Sequence, residues 1–187
     1  NDSLFTGSIT ANTLGEVIST YPLIEDAETT LPVFSYIELI SGTTQLWTLN
    51  SGNYQNVDMD DPLIPRAPGT IFYLFDSYDV PSIGFESRLY SNCIKMPSTL
   101  LPNPAPVTTL SFWMSRDTLF NADGFLDSLY VSVSTDKGQT WTRLLPGYQR
   151  NKAAGAPSWE QKLINLSAYN GQTIQIGFEG ASDWGNA

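Results

Sequence analysis

The chain has 187 residues, 41% of them hydrophobic, 12% aromatic and 15% charged, so it is long enough to bury a core as one domain. Its 19 acidic against 9 basic side chains leave a formal charge of −10, a field that opposes nucleic-acid phosphates. The absence of histidine excludes Ser-His-Asp triads, Cys-His dyads and His-ligated metals; the single Cys93 excludes an intrachain disulfide; and no run of 18 apolar residues marks a spanning helix.

In chain order, the first feature is the acidic cluster Glu25, Asp26 and Glu28. A glycosidase carboxylate pair on one strand needs acids two apart, because side chains alternate between the faces. The spacing here sets Glu25 and Glu28 on opposite faces. Residues 1–87 carry 12 acids and one base, Arg66, whereas residues 88–187 carry 7 acids and 8 bases. The acidic face therefore belongs to the first half. Residues 50–68, with three aspartates and three prolines, read as a long loop.

Ile71 to Phe75 is apolar on both faces and predicts a strand in mid-sandwich with both faces covered. Cys93, with no basic neighbour in its run, reads as a buried small apolar residue. The prolines at 97, 102, 104 and 106 predict a surface crossover. Beyond them, Leu110, Phe112 and Met114 alternate with Ser111, Trp113 and Ser115. Leu129, Val131 and Val133 alternate with Tyr130, Ser132 and Ser134. Ile174, Ile176 and Phe178 alternate with Gln175, Gly177 and Glu179. Period two over these lengths predicts half-buried antiparallel strands. Asp136-Lys137-Gly138 and Asn170-Gly171 predict tight reversals between them. The pattern as a whole predicts an all-β chain, a two-sheet antiparallel β-sandwich of jelly-roll type.

The segments DSLYVSVSTDKGQTW at 127–141 and WEQKLINLSAYNGQTIQIGF at 159–178, followed by EGASDWGNA, carry a resemblance to a known group. LIEDAE at 23–28, RLYSNCI at 88–94 and TLSFWM at 109–114 extend it. Together they resemble the MAM-like jelly-roll modules of bacterial secreted proteins. That group includes the cleaved-adhesin and choice-of-anchor J domains and the accessory domains of immune-inhibitor-A-like peptidases. The resemblance covers residues 23–187, with Ala27 standing where those modules commonly have an aromatic. It leaves residues 1–22 as an N-terminal extension.

The resemblance implies a non-catalytic adhesion or binding module of a secreted or cell-surface protein, meeting an extracellular glycan or protein and neighbouring domains of its own polypeptide. The acidic balance and the lack of a long apolar run add the expectation of neither nucleic-acid binding nor membrane insertion. Two other readings are an accessory domain of a secreted peptidase and a jelly-roll carbohydrate-active enzyme. The resemblance also implies a structural calcium held by Glu28, one or more of Asp58, Asp60 and Asp61, and Asp76 at the end of the 71–75 strand, an oxygen donor set suited to a hard cation. It implies that Trp141 and Trp159 pack between the sheets. It further implies a last strand after Ala187, its place open to a substitute such as residues 4–10. From alternation alone, Trp113 and Tyr130 fall on polar faces and read as a ligand-stacking pair, the alternative being burial of Trp113 under a loop or under residues 1–22.

Overall fold

A computed structural model of the chain describes residues 17–19, 21, 23–28, 33–43, 46–55, 62–77, 83–97, 107–116, 127–149 and 158–183. Its elements are β1 (Phe34–Ser41), β2 (Trp47–Ser51), β3 (Ile71–Phe75), β4 (Phe85–Ser91), β5 (Ile94–Lys95), β6 (Thr109–Met114), β7 (Ser128–Ser134), β8 (Thr142–Gln149), β9 (Glu160–Asn165) and β10 (Thr173–Ser182). A single 3-10 turn, Ser167–Tyr169, precedes β10. The chain is all-β, and no described helix is long and apolar enough to cross a membrane.

The ten described strands pair with one another antiparallel throughout. The large sheet has the order β1-β4-β10-β7-β8, with the short β5 beside the start of β10. β2 pairs with β3, and β6 with β9, as separate two-stranded ribbons. The later strands nest: β7 with β8 innermost, β6 with β9 around them, and β4 with β10 outside. Aromatic rings bring both ribbons onto one face of the large sheet. Phe34 of β1 meets Tyr73 of β3 at 6.4 Å, and Phe112 of β6 meets Phe178 of β10 at 5.1 Å and Tyr148 of β8 at 5.9 Å. The Trp47 indole of β2 donates to the Ser87 carbonyl of β4 at 3.1 Å. Val131, Val133, Ile174, Ile176 and Leu89 form the buried floor beneath them.

The predicted alternation in β6, β7 and β10 sets which side chains face that floor, because neighbouring residues of a strand point to opposite faces. The predicted hairpin between β7 and β8 also forms. Lys137 and Gly138 take positive φ of 61° and 84°, a conformation that costs glycine nothing. Asp136 pins the turn by accepting from the Thr140 amide at 2.9 Å and its hydroxyl at 2.6 Å. Those Thr140 bonds, together with one from Ser134, hold the Asp136 carboxyl down at about 2.

Three expectations are corrected. Residues 23–28 form no strand; Ala27 has a φ of 61°, and the chain there is irregular. β3, read as covered on both faces, has no exposed residue, and its described pairing is with β2. Trp141 is not between the layers, since it sits beside Tyr90 and Arg88 on the far face of the large sheet. Gln175 and Glu179, read as the solvent face of a half-buried strand, are each 1% exposed. That last difference has a definite cause: β10 is the middle strand, and long side chains from its neighbours fold over it. Residue 18 adds an isolated parallel bridge to Ile94, while residues 4–10 lie outside the described residues.

The cover over β10 is ionic. Glu179 accepts from the Arg88 Nε at 2.8 Å and from the Arg143 Nε at 2.5 Å. Arg88 also pairs with Glu38, and Arg143 with Glu86 at 2.7 Å. Burial pushes the Glu179 carboxyl up, but the Ser132 hydroxyl and the two arginines beside it together outweigh that and leave it below its ordinary value. A carboxyl depressed in the folded state contributes stability that is complete above the unfolded value and drains away as pH falls through the folded one. Glu179→Gln should therefore lower the unfolding free energy by about 3 kcal/mol at pH 7, the lower end for breaking a buried pair because each arginine keeps a second carboxylate. The same variant should show a shallower loss of stability on acidification below about pH 4.5. Urea melts across pH 2–7 measure both effects.

Candidate functional site

Because β3 and β6 belong to different ribbons, a cleft of about 980 Å³ opens between the ribbons and the floor of the large sheet. Its walls are mainly apolar: Phe72 and Tyr73 on one side, Phe112 and Leu110 on the other, Ile176 and Phe178 below. That volume is at the upper end of small-molecule sites. Trp159 closes one end, edge-on to Phe72 at 6.0 Å, its indole donating to the Ile64 carbonyl at 2.8 Å. The exposed lining groups include Ile24, Asp26, Glu28, Thr70, Arg66 and Trp113, which mark where the cleft meets solvent.

The charged groups of the lining are nearly all spent on the fold. Glu25 accepts from the amides of Ala27, at 2.7 Å, and Val33. Asp26 accepts from the Glu28 amide at 3.1 Å. Glu28 accepts from the amides of Thr70 and, at 2.8 Å, Ile71, so it ties the irregular 23–28 segment to the start of β3. Those amide bonds, first of all the one from Thr70, lower its carboxyl pKa. Asp127 accepts from the Ser77 hydroxyl and the Asp183 amide, both at 2.5 Å. Arg116 donates to the Gln149 carbonyl at 2.5 Å and pairs with Glu160 at 3.3 Å. Arg66 differs. Its guanidinium lies 3.9 Å over the Trp113 ring and makes no ion pair with any described residue.

The sequence-predicted metal ligands do not all converge. Glu28 holds the first residues of β3, whereas Asp76 follows its last residue and accepts from the Tyr54 hydroxyl at 2.8 Å. A five-residue strand at about 3.3 Å per residue puts these positions roughly 17 Å apart, too far for one ion. Asp58, Asp60 and Asp61 lie outside the described residues, and no group of three or more His, Cys, Asp or Glu among the described residues could hold a metal.

The aromatic pair also separates. Trp113 alternates with Phe112, which faces the floor, so Trp113 points away from the large sheet and is 41% exposed. Tyr130 alternates with Val131 of the core and points away on the opposite side of the molecule. It lies against Gly147, where a Cβ would come within 2.4 Å of the ring, and beneath Arg143 at 4.3 Å. Neither ring is a bare platform: Arg143 caps one and Arg66 the other. Alternation could not show this, since the arginines arrive from other segments. The one available signal for Arg66 was its isolation as the sole base of the first 87 residues. Cys93 is 5% exposed, and burial pushes its thiol up, away from the thiolate a nucleophile needs.

No protein-family model, curated protein or solved structure matches this chain. The stacked Arg66 and Trp113 should be coupled by about 0.5–1 kcal/mol, the range for an exposed cation over an indole. A double-mutant cycle with Arg66→Ala and Trp113→Ala in urea melts measures it, and both single variants should stay folded because neither residue belongs to the core.

Proposed function

We propose that the chain is a non-catalytic MAM-like β-sandwich module of jelly-roll type from a secreted or cell-surface protein, and that it binds an extracellular glycan or protein through the face carrying Trp113 and Arg66. The observation that carries this reading is the nested strand pairing, β4 with β10, β6 with β9 and β7 with β8, in which successive pairs alternate between the large sheet and a ribbon. Rolling one long hairpin over itself generates that order, which is the jelly-roll path. The order β4-β10-β7-β8 within the large sheet follows from it. The non-catalytic part is supported by the carboxylates of the cleft wall. Those of Glu25, Asp26, Glu28 and Asp127 all accept from backbone amides, whereas a glycosidase needs two poised on a shared substrate about 5–10 Å apart.

At the binding face, Ser111 and Gln161, hydrogen-bonded to each other at 2.8 Å, flank Trp113 across the β6–β9 ribbon. An indole edge, a guanidinium with no ion pair among the described residues and an amide–hydroxyl pair together suit a ligand with both apolar and hydrogen-bonding faces. A glycan array should give hits with the wild type that Trp113→Ala loses while staying folded, its melting temperature lowered by no more than the loss of the Arg66 stack; an array blank for the wild type leaves a protein ligand as the expected partner, to be sought with the same variant as control.

A structural calcium forms the second part of the proposal. Glu28 Oε2, engaged by the Thr70 hydroxyl at 3.0 Å, retains a lone pair for a cation, with Asp58, Asp60 or Asp61 as the remaining carboxylate donors. Bound at a hundredfold excess over its Kd, calcium adds about 2.7 kcal/mol to the unfolding free energy. Excess EDTA should lower the melting temperature of the wild type and leave that of Glu28→Gln unchanged. An unaltered wild-type melt would count against the ion.

A further inference from the structure

We propose that the cleft between the layers binds an amphipathic carboxylate, a long-chain aliphatic acid whose apolar body lies over Ile176 and Phe178 and whose headgroup meets Arg66. The inference goes beyond the glycan- or protein-binding reading and does not depend on it.

Three observations carry it. The cleft has the volume of a small-molecule site, about 980 Å³, and its walls and floor are aromatic and aliphatic: Phe72 and Tyr73 opposite Leu110 and Phe112, with Ile176 and Phe178 beneath. Such a space rewards an apolar body and penalises a sugar, whose hydroxyls would find few partners. Second, the charged lining groups other than Arg66 are occupied. Glu25, Asp26, Glu28 and Asp127 are turned to amides and a hydroxyl, and Arg116 is held by Gln149 and Glu160. Of the charged lining groups, the Arg66 guanidinium alone makes neither a hydrogen bond nor an ion pair with any described residue. Third, Arg66 lies where the cleft meets solvent, fixed flat on the Trp113 ring at 3.9 Å with no ion-pair partner among the described residues. The stack orients the guanidinium while its N–H groups at the edge stay available, and a planar fork of donors matches a carboxylate in two parallel hydrogen bonds. The only base of an otherwise acidic first half thus stands at the entrance of an apolar cleft. For an amphiphile whose headgroup reaches Arg66, that arrangement favours a carboxylate over a neutral alcohol.

The experiment uses the intact chain and the fluorescence of bound cis-parinaric acid, with laurate, 1-dodecanol and butyrate as competitors. Laurate should displace the probe about tenfold more effectively than 1-dodecanol, and butyrate, which lacks the apolar body, should barely compete. Arg66→Gln should bring laurate down to the level of the alcohol while the protein stays folded, its melting temperature lowered by no more than the loss of the stack on Trp113. Location is read separately with 12-bromododecanoate, whose terminal bromine should quench Trp47 and Trp159 within the cleft and should do so equally in Trp113→Phe. Absence of probe binding, equal competition by acid and alcohol, an unchanged acid preference in Arg66→Gln, or quenching that vanishes with Trp113→Phe would each overturn the proposal.

Discussion

A carboxylate 1% exposed in the middle strand of a sheet has to be neutralised, and the way Glu179 is neutralised governs much of this molecule. Arg88 reaches it from β4 on one side and Arg143 from β8, two strands away on the other, so three strands are tied at one point. Each arginine ends on a further acid, Glu38 or Glu86. The chain of alternating charges crosses the large sheet at nearly right angles to its strands. A slip of β10 by one residue would turn Glu179 into the apolar floor and expose Phe178, so the ion pairs and the core enforce the same register.

Because the charges and their aromatic companions occupy one face of the large sheet, the other is left for the ribbons. On the charged face Arg88 covers Trp141, Arg143 covers Tyr130, and Tyr36 stacks on Tyr90 at 5.2 Å. On the opposite face the contacts are ring against ring, through Phe34, Phe112 and Phe178. Glycine permits both kinds of close approach. At Gly180 a Cβ would come within 2.1 Å of the Phe75 ring, and at Gly177 within 2.7 Å of the Arg88 side chain. The two glycines of β10 thus let the ribbon settle on one face and the arginine on the other.

The cleft is a consequence of how the ribbons are hydrogen-bonded. β3 and β6 each have one described strand partner, on the side away from the cleft, so what spans the space between the ribbons is side chains: Trp159 against Phe72, and Arg66 over Trp113. Side-chain bridges leave room that a continuous ladder of backbone hydrogen bonds, with strands about 4.8 Å apart, would have closed. The carboxylates of the 23–28 segment, bonded to backbone amides at its rim, hold an irregular stretch of chain in place, and Arg66 is the charged lining group with no ion pair or hydrogen bond from its side chain among the described residues.

By itself the sequence determined the local part of this structure. Alternation in Leu110–Met114, Leu129–Val133 and Ile174–Phe178 set the faces of β6, β7 and β10, and Lys137-Gly138 set a hairpin, because period and turn geometry act between near neighbours in the chain. Composition likewise removed histidine and disulfide chemistry without reference to any fold. What it could not show is what covers each face. Glu179 and Tyr130 read as solvent-facing, yet Arg143, arriving from another strand, covers both; Trp113 read as a bare ring, yet Arg66 lies on it from 47 positions earlier in the chain. Glu28 and Asp76 read as partners, yet the length of β3 keeps them apart. Pairing between distant segments depends on how sheets stack and how long each strand runs, and those are decided only when the chain closes on itself.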